Sequence, residues 1–376
     1  VGASAGTAYG VSADAMNSTG GKVSIRQHGN VTGSATVVNG VAMGVALSGD
    51  VTATMGIAIN QGYGLDNSGN PLSDGKIVSG NAASGISFTG NLSTSKGDIN
   101  VSANGSVSGA GAVYGLNSNN ATLTASNGAV GLSESGAISS TDGTVTGLNQ
   151  LGSISASGTI TATNDGTITA NKGAVNGMVL SNLSSYRGIT VTESADVTNR
   201  GTGTGVGSNT ANGLVLNGTL WSAGSISATQ SGDIEVKIGA VAKGVVLNGV
   251  RGTAHNDITI TQSGTIKDGS FGANTPFTFT ASPTPAVATN IGIDVASGST
   301  LSGSAAGYSW VSLRSNNLNL KLEGDLTVAK AELRIDLYKV GKIDAGTNLI
   351  AATGLNAYYS GADASYAPKK TILVAQ

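Results

Sequence analysis

Few side chains of this sequence could do acid–base, nucleophilic or metal chemistry. The chain contains two histidines, His28 and His255, and no cysteine. Metal sites and histidine-based catalysis need several partners close together, and neither histidine has another one near it in sequence. We therefore interpret both as solvated residues at polar turns. The sequence predicts no catalytic, cofactor-binding or metal-binding residue, and no cofactor.

Enzymes that cleave polysaccharides need positioned carboxylates, or a cation that stabilises a carbanion. The 15 acidic residues between positions 1 and 310 are scattered singly along that region. The nearest cluster is Asp233, Glu235 and Lys237, which alternates along one expected strand and should therefore face solvent. The glycine-rich segment 201–205 lacks the lysine and the helix of a phosphate loop, so a turn is the better interpretation.

Threonines recur at alternate positions, which would place hydroxyl groups along one side of successive strands. These residues are Thr159, Thr161 and Thr163, then Thr167 and Thr169, then Thr259 and Thr261. Flat threonine arrays allow some β-solenoids to bind ice, and thermal hysteresis in solution would detect such a face. Threonine is also a favoured strand residue in general. We favour this second interpretation because Ser, Asn and Lys interrupt the pattern elsewhere.

The composition of the chain excludes several classes of protein. Charged residues make up 11% of the 376 residues, against about 25% in ordinary soluble domains. The formal net charge is −2, and no basic run contains interleaved aromatics, so nucleic acid is not an expected partner. No apolar stretch has the roughly 18 residues of a membrane helix, so we expect no membrane span in this chain.

Two short patterns recur along the first 310 residues and indicate the elements that form the fold. The first pattern begins with a β-branched residue and a short alternation of apolar and polar residues. A polar pair follows, then usually a glycine, and then a further β-branched residue. Its copies are Val23–Val31, Ile99–Val107, Ile160–Ile168, Ile189–Val197, Ile226–Ile234 and Ile258–Ile266. The second pattern begins with glycine and continues with aliphatic residues. Its copies begin at Gly44, Gly115, Gly177, Gly213, Gly244 and Gly292.

We interpret the first pattern as two strands joined by a polar corner, and the second as a third strand. Three short strands repeated at intervals of roughly 30 to 40 residues predict an all-β fold, a parallel β-helix or β-solenoid. About 14 coils of ~22 residues would give a rod about 65 Å long. An antiparallel β-sandwich array is less favoured, because two-residue turns and core aromatics are scarce.

Charge density divides the chain into two parts. Residues 1–310 carry 26 charged side chains, whereas residues 311–376 carry 14. The charged tail alternates apolar and polar residues, which predicts half-buried strands. We therefore expect a parallel β-helix region at 1–310, with a loop insertion near 268–290, and a C-terminal β cap at 311–376.

The repeats and the tail resemble the passenger domains of Gram-negative (type V) autotransporters. The string GTITATNDGTITANKGAVNGMVL is similar to their degenerate repeats. The tail segments LNLKLEGDLTV, AELRIDL, GKIDAGTNLIAATG and TILVAQ are similar, in that order, to their C-terminal segment. The resemblance implies a right-handed β-helix, a cap that assists folding like an autochaperone, and export across the outer membrane to an extracellular or cell-surface location.

We accordingly expect a non-enzymatic structural or adhesive protein that is secreted or held on a bacterial surface. Self-association into filaments or biofilm is an expected property, and a glycan or protein of a host or neighbouring cell is an expected partner. A phage or S-layer surface protein would share the fold. The alternative from another class is a β-helix enzyme, a lyase or glycoside hydrolase, acting on polysaccharide. Two carboxylates about 5 to 10 Å apart in a cleft would favour that alternative.

Overall fold

The computed structural model describes residues 2–3, 6–33, 40–62, 75–201, 210–237 and 241–268 and, beyond them, mainly strand segments between Gly272 and Ala375. These described residues form strands and no helix. The strands belong to three large parallel sheets and one small one, and the single antiparallel pair among them joins β30 (Ile266–Asp268) and β31 (Gly272–Ala273). One coil of the chain passes through sheet 1, sheet 2 and sheet 3 in turn. The predicted parallel β-solenoid is therefore confirmed, and the antiparallel sandwich array is excluded.

Each sheet consists of the strands that lie on one side of the successive coils. Sheet 1 contains β2 (Thr7–Ala13), β3 (Met16–Ser18), β6 (Val41–Leu47), β7 (Val51–Ala53), β10 (Ala83–Phe88), β11 (Leu92–Thr94), β14 (Val113–Ser118), β15 (Leu123–Ala125), β18 (Val145–Gln150), β19 (Ile154–Ala156), β22 (Val175–Ser185), β25 (Ala211–Ser222), β28 (Ala242–Ala254), β32 (Asn290–Val295), β33 (Thr300–Gly303), β35 (Asn319–Leu322) and β38 (Ile343–Asp344). Sheet 2 contains β4 (Lys22–Gln27), β8 (Gly56–Gln61), β12 (Ile99–Ala103), β16 (Val130–Glu134), β20 (Thr159–Asn164), β23 (Gly188–Glu193), β26 (Ser225–Gln230), β29 (Ile258–Gln262), β34 (Ser309–Ser315), β37 (Ala331–Leu337) and β40 (Ala357–Gly361).

Sheet 3 is made of shorter strands. It contains β1 (Gly2–Ala3), β5 (Val31–Gly33), β9 (Ile77–Val78), β13 (Val107–Gly109), β17 (Ala137–Ser140), β21 (Thr167–Ala170), β24 (Asp196–Asn199), β27 (Ile234–Val236), β30 (Ile266–Asp268) and β31 (Gly272–Ala273). The small parallel sheet contains β36 (Leu326–Ala329), β39 (Ile350–Thr353) and β41 (Ile372–Ala375).

One coil is longer than the sequence led us to expect. Ile99 pairs with Val130, and Val130 pairs with Ile160, so successive coils take 31 and 30 residues. The expected 22 residues were wrong because sheet 1 usually takes two strand segments per coil, such as β18 and β19, and we had assigned it one. From β4 to β34, sheet 2 has nine strands and eight spacings. At ~4.8 Å per spacing this is about 38 Å, so the expected 14 coils and 65 Å were wrong as well.

The alternating residues form strands because every second side chain enters a narrow interior. In β12, Ile99, Val101 and Ala103 are buried, while Asn100 and Ser102 lie on the outer surface. The buried residues form two hydrophobic clusters. The larger lies between sheets 1 and 2, and the smaller lines sheet 3 and the beginning of the sheet 1 strands. Aliphatic residues and alanine fill both clusters, and one aromatic side chain, Phe88, joins the larger.

A column of glycines follows sheet 1, one in each coil. Its members are Gly10, Gly44, Gly85, Gly115, Gly147, Gly177, Gly213 and Gly244. The strand pairing skips these positions, and from Gly44 onward the glycine and the residue after it are both buried. A Cβ atom at Gly177 would lie 2.5 Å from Cδ of Glu193 and 2.5 Å from the carbonyl oxygen of Gly213. The glycine of the second sequence pattern is therefore required by the narrow interior, where only a hydrogen atom fits.

The C-terminal region continues the parallel pairing. In sheet 2, β34 pairs in parallel with β29, and β37 and β40 follow. The domain boundary at 310 and the C-terminal cap remain predictions. Most of the loop insertion near 268–290 lies outside the described residues.

We predict that Gly177→Ala lowers the free energy of unfolding by about 1–3 kcal/mol, because the methyl group overpacks the interior. The matched control is Gly188→Ala, whose Cβ would meet only the carbonyl oxygen of Ser225 at 3.5 Å. This control should change the stability by no more than about 0.5 kcal/mol. Chemical denaturation of both variants measures the difference. Equal stabilities would contradict the packing described for the glycine column.

Candidate functional site

A column of polar side chains runs inside the solenoid, at the end of the sheet 2 strands. Its members are Gln27, Gln61, Glu134, Asn164, Glu193, Gln230 and Gln262, all buried. Each is the last residue of its strand, and Ala103 takes the same position in β12. The strand register stacks these positions on one another, with Ala103 between Gln61 and Glu134. We call this set the polar column.

The polar column fits because the glycine column lies opposite it. A Cβ at Gly115 would lie 2.5 Å from Cγ of Glu134, and one at Gly213 would lie 2.6 Å from Cγ of Gln230. A single side chain thus reaches from sheet 2 across the interior to sheet 1. The polar column thereby lies at the boundary between the two hydrophobic clusters.

Sequence reasoning missed these residues because it assigned the whole polar pair of the first pattern to a solvated corner. In the pair Asn164–Asp165, the first residue is fully buried and the second is exposed. The signal was present in the alternation: Asn164 continues the inward positions of Ile160 and Ala162. Because asparagine is polar, we assigned it to the surface although it occupies an inward position of the strand.

Hydrogen bonds satisfy most of the polar column. The Nδ2 of Asn164 donates to Oε2 of Glu193 and to the carbonyl oxygen of Gly177, both at 2.9 Å. The backbone N–H of Ala195 donates to Oε1 of Glu193 at 3.0 Å. These bonds meet the rule that buried polar groups find partners.

Two oxygen atoms at the centre of the polar column have no partner among the described residues. They are Oε2 of Glu134 and Oδ1 of Asn164. The two residues are register partners on adjacent strands, about 4.8 Å apart along the stack. A proton on Oε2 of Glu134 would turn that oxygen into a donor, and Oδ1 of Asn164 is the unpartnered acceptor in the next coil. We infer that Glu134 keeps its proton in the folded protein at pH values where an ordinary glutamate has lost it.

The electrostatic surroundings agree with a protonated Glu134. Burial raises the pKa of Glu134 well above 4.5, opposed by the N–H of Gly136 and reinforced by the charge of Asp165. Burial also raises the pKa of Glu193, although the bonds from Asn164 and Ala195 favour its charged form. The charge of Asp165 raises it further, as does that of Glu134 at a pH where Glu134 is ionised.

The buried carboxyl groups are not placed to act on a substrate. Glu134 and Glu193 lie two strand spacings apart, about 10 Å, close to the carboxyl separation of inverting glycosidases. Both side chains are 0% exposed, however, and face the closed interior. This pair does not form the cleft that would favour a polysaccharide enzyme.

The two histidines lie at corners, in coils far apart along the stack. His28 is half-buried, and its Nδ1 lies 2.7 Å from the carbonyl oxygen of Gly62. His255 is exposed, and its backbone N–H donates to the carbonyl oxygen of Ser222. Across the described part of the chain, no group of three His, Cys, Asp or Glu residues could hold a metal ion. Our expectation that the chain binds no metal or cofactor remains a prediction.

The charged cluster near β27 lies on the outer surface. Asp233 and Lys237 are exposed and Glu235 is half-buried, so the predicted solvent-facing position is confirmed. Oδ1 of Asp233 accepts the N–H of Thr265 in the next coil at 3.0 Å. The carboxylate therefore connects two coils. Of the glycine-rich segment 201–205, Gly201 has a φ of 63°, and residues 202–205 lie outside the described residues.

Hydroxyl groups line the outer surface of sheet 2 in two adjacent columns. We call them the hydroxyl array: Ser102, Ser133, Thr161, Thr163, Thr190, Thr192, Ser227, Thr229, Thr259 and Thr261. The predicted threonine ladder is thus divided, because Thr167 and Thr169 belong to sheet 3. A shallow depression of about 300 Å³ lies where Gly131 interrupts the array. Ice binding by this array stays a hypothesis.

The raised pKa of Glu134 predicts an unusual dependence of stability on pH. Above 4.5, the ordinary glutamate value, the unfolded chain loses its proton before the folded one does. The free energy of unfolding should therefore fall as the pH rises from 4.5 through the folded-state pKa. Glu134→Gln provides a permanent donor to Asn164, so it should be about 1–3 kcal/mol more stable than wild type at alkaline pH. The two proteins should converge at acidic pH.

Chemical denaturation across a pH series tests this expectation. Glu235→Gln is the matched control for the loss of one carboxylate, because Glu235 lies on the outer surface, so the difference between the two variants isolates the effect of burial. Parallel profiles for wild type and Glu134→Gln would show that Glu134 is not protonated in the folded state.

Comparison with known proteins identifies no relative. No family model, no curated protein and no solved structure matches the chain. Within the described ranges, no helix is long and apolar enough to cross a membrane.

Proposed function

We propose that this chain is a non-enzymatic structural and adhesive protein, secreted or exposed on a bacterial surface as an autotransporter passenger. The hydroxyl array carries the proposal. It presents the same uncharged groups in successive coils, at intervals of about 4.8 Å along the stack. A partner with its own repeat, such as a polysaccharide or a second copy of the chain, can make many equivalent contacts with such a surface.

Hydrogen bonds between coils support this proposal because they hold the outer side chains in place. Oγ of Ser133 donates to Oγ of Ser102 at 2.8 Å on sheet 2. Asparagines of sheet 1 form similar bonds, at 2.8 to 3.0 Å. These pairs are Asn149 with Asn117, Asn212 with Asn176, and Asn248 with Asn217. Side chains ordered in advance lose less conformational entropy when they bind a partner.

Low charge supports the proposed self-association. The formal net charge is −2 and the sequence pI is about 5.7, so electrostatic repulsion between copies is weak, and weakest near that pH. Flat neutral surfaces of two copies can therefore approach closely. Filaments or cell aggregates follow if each copy makes more than one such contact.

A pair of double variants tests the proposal on beads coated with the protein. Thr161→Lys with Thr229→Lys adds two charges to the hydroxyl array, two coils apart. Ser108→Lys with Thr167→Lys adds the same charge to sheet 3. We expect wild-type beads to aggregate most strongly near pH 5.7. The array variant should lose at least about 1.4 kcal/mol of attraction, roughly tenfold, and the sheet 3 variant should behave as wild type.

Two outcomes would contradict the proposal. The first is an aggregation assay in which the wild type does not aggregate at any concentration or pH, or in which the two double variants aggregate equally. The second is the release of reducing ends or of unsaturated uronates from a panel of polysaccharides, which would favour the polysaccharide enzyme instead.

A further inference from the structure

The three longest described strands, β22, β25 and β28, form a distinct part of sheet 1. In the coils before them the chain breaks between two sheet 1 segments, whereas here it continues through a bulge. The residues at the bulge, Asn182, Gly218 and Gly249, have φ values of 52°, 66° and 62°. Bulges redirect the side chains that follow them and are frequent near functional sites.

Trp221 follows the bulge in β25, in a column of small polar residues. Its register equivalents in the other coils are Asn17, Thr52, Ser93, Thr124, Ser155, Ser184 and Thr253. The stack therefore does not need an indole at this position. Trp221 remains partly exposed, and Tyr186 packs against it edge to face, with ring centroids 5.1 Å apart.

The phenol of Tyr186 also lacks a structural explanation. Its side chain is 66% exposed, so it contributes little to the interior. The equivalent corner position in the next coil is Ala223, because the N–H groups of Tyr186 and Ala223 bond to the preceding coil in the same way. In a chain with 4% aromatic residues, two adjacent accessible rings on one surface indicate a binding platform.

Two arginines lie near the two aromatic residues along the backbone. Arg251 is exposed and is the register partner of Thr219, two residues before Trp221. Its Cα therefore lies about 8 Å from that of Trp221, given the spacing and rise of parallel strands. Arg187 is exposed and directly follows Tyr186. Asp257, the carboxylate at this corner, already has a partner. We call Tyr186, Arg187, Trp221 and Arg251 the aromatic–guanidinium patch.

We propose that the aromatic–guanidinium patch binds an acidic saccharide, a proposal that rests on the adhesive function and names a partner for it. The apolar C–H surface of a sugar ring would stack on Tyr186 and Trp221. A carboxylate or sulfate of the sugar would accept paired hydrogen bonds from Arg251 or Arg187. The hydroxyls of the exposed Ser155 and the half-buried Ser184 lie in the same column as Trp221 and can bond the sugar hydroxyls.

The charge of the patch selects this ligand over other polymers. Two guanidinium groups provide too little positive charge for the phosphate backbone of a nucleic acid, which is bound through many such contacts. A neutral sugar would need the rings but not the arginines. An acidic sugar uses both parts of the patch, and this difference can be measured.

Register neighbours provide test variants that should keep the fold. Trp221→Thr introduces the residue of its partner Thr253, Arg251→Thr that of Thr219, and Tyr186→Ala that of Ala223. Circular dichroism and thermal unfolding should match wild type for all three. Tyr9→Ala is the aromatic control, because Tyr9 is 41% exposed in the first sheet 1 strand, β2. Arg26→Asn is the charge control and introduces the residue of its partner Asn60.

Calorimetric titration uses an oligogalacturonate as the carboxylate probe, a sulfated dextran oligomer as the sulfate probe and a cello-oligosaccharide as the neutral probe. We expect wild type to bind at least one acidic probe and to bind it more weakly as salt is added. Trp221→Thr and Tyr186→Ala should each weaken it about fivefold. Arg251→Thr should weaken it about tenfold or more without weakening the neutral probe, and both controls should bind as wild type.

Binding of neither acidic probe, or equal binding by the patch variants and wild type, would overturn the inference. Capture of an acidic peptide in preference to both sugars would also overturn it. The patch variants leave the hydroxyl array intact, so bead aggregation separates the two proposals. Aggregation without saccharide binding would contradict the inference alone. Saccharide binding without aggregation would contradict the aggregating function alone.

Discussion

The structure depends on one constraint: each side chain lies about 4.8 Å from its equivalent in the next coil. Side chains that interact favourably with an identical side chain are therefore favoured at each register position. Like charges stacked at this distance would repel, whereas amides and hydroxyls bond to one another, as Asn149 does to Asn117 and Ser133 to Ser102. The constraint thus accounts for the low charge of the repeat region and for its abundance of Asn, Ser and Thr.

The same stacking makes the interior narrow, so small and long side chains must lie opposite each other. Glycine on sheet 1 leaves room for a glutamine, asparagine or glutamate that reaches across from sheet 2, as at Gly115 and Glu134. This polar column carries titratable groups that no ligand can reach, so it controls stability and not recognition. The outer surfaces are left free to differ: sheet 2 presents the hydroxyl array, and sheet 1 changes at the bulge before Trp221.

The sequence was sufficient for the fold because periodic alternation reports burial directly. Ile160 and Ala162 alternate with threonines, and the structure buries them as a strand of a parallel stack. Coil length was misjudged because Ile154–Ala156 is a strand too short to have a pattern of its own. The polar column and the aromatic–guanidinium patch could not be predicted in this way, because they depend on which residues stack. Tyr186 and Trp221, distant in sequence, meet only through the register of complete coils.

The central claim is that coils in register enclose a polar column in which burial raises the pKa of Glu134. Carboxyl carbon NMR tests it directly, because the chain has only five glutamates and Glu134→Gln assigns the signal. We predict that the Glu134 signal stays in its protonated form as the pH rises above 4.5, the ordinary glutamate value. A Glu134 signal that titrates at or below that value would contradict the account.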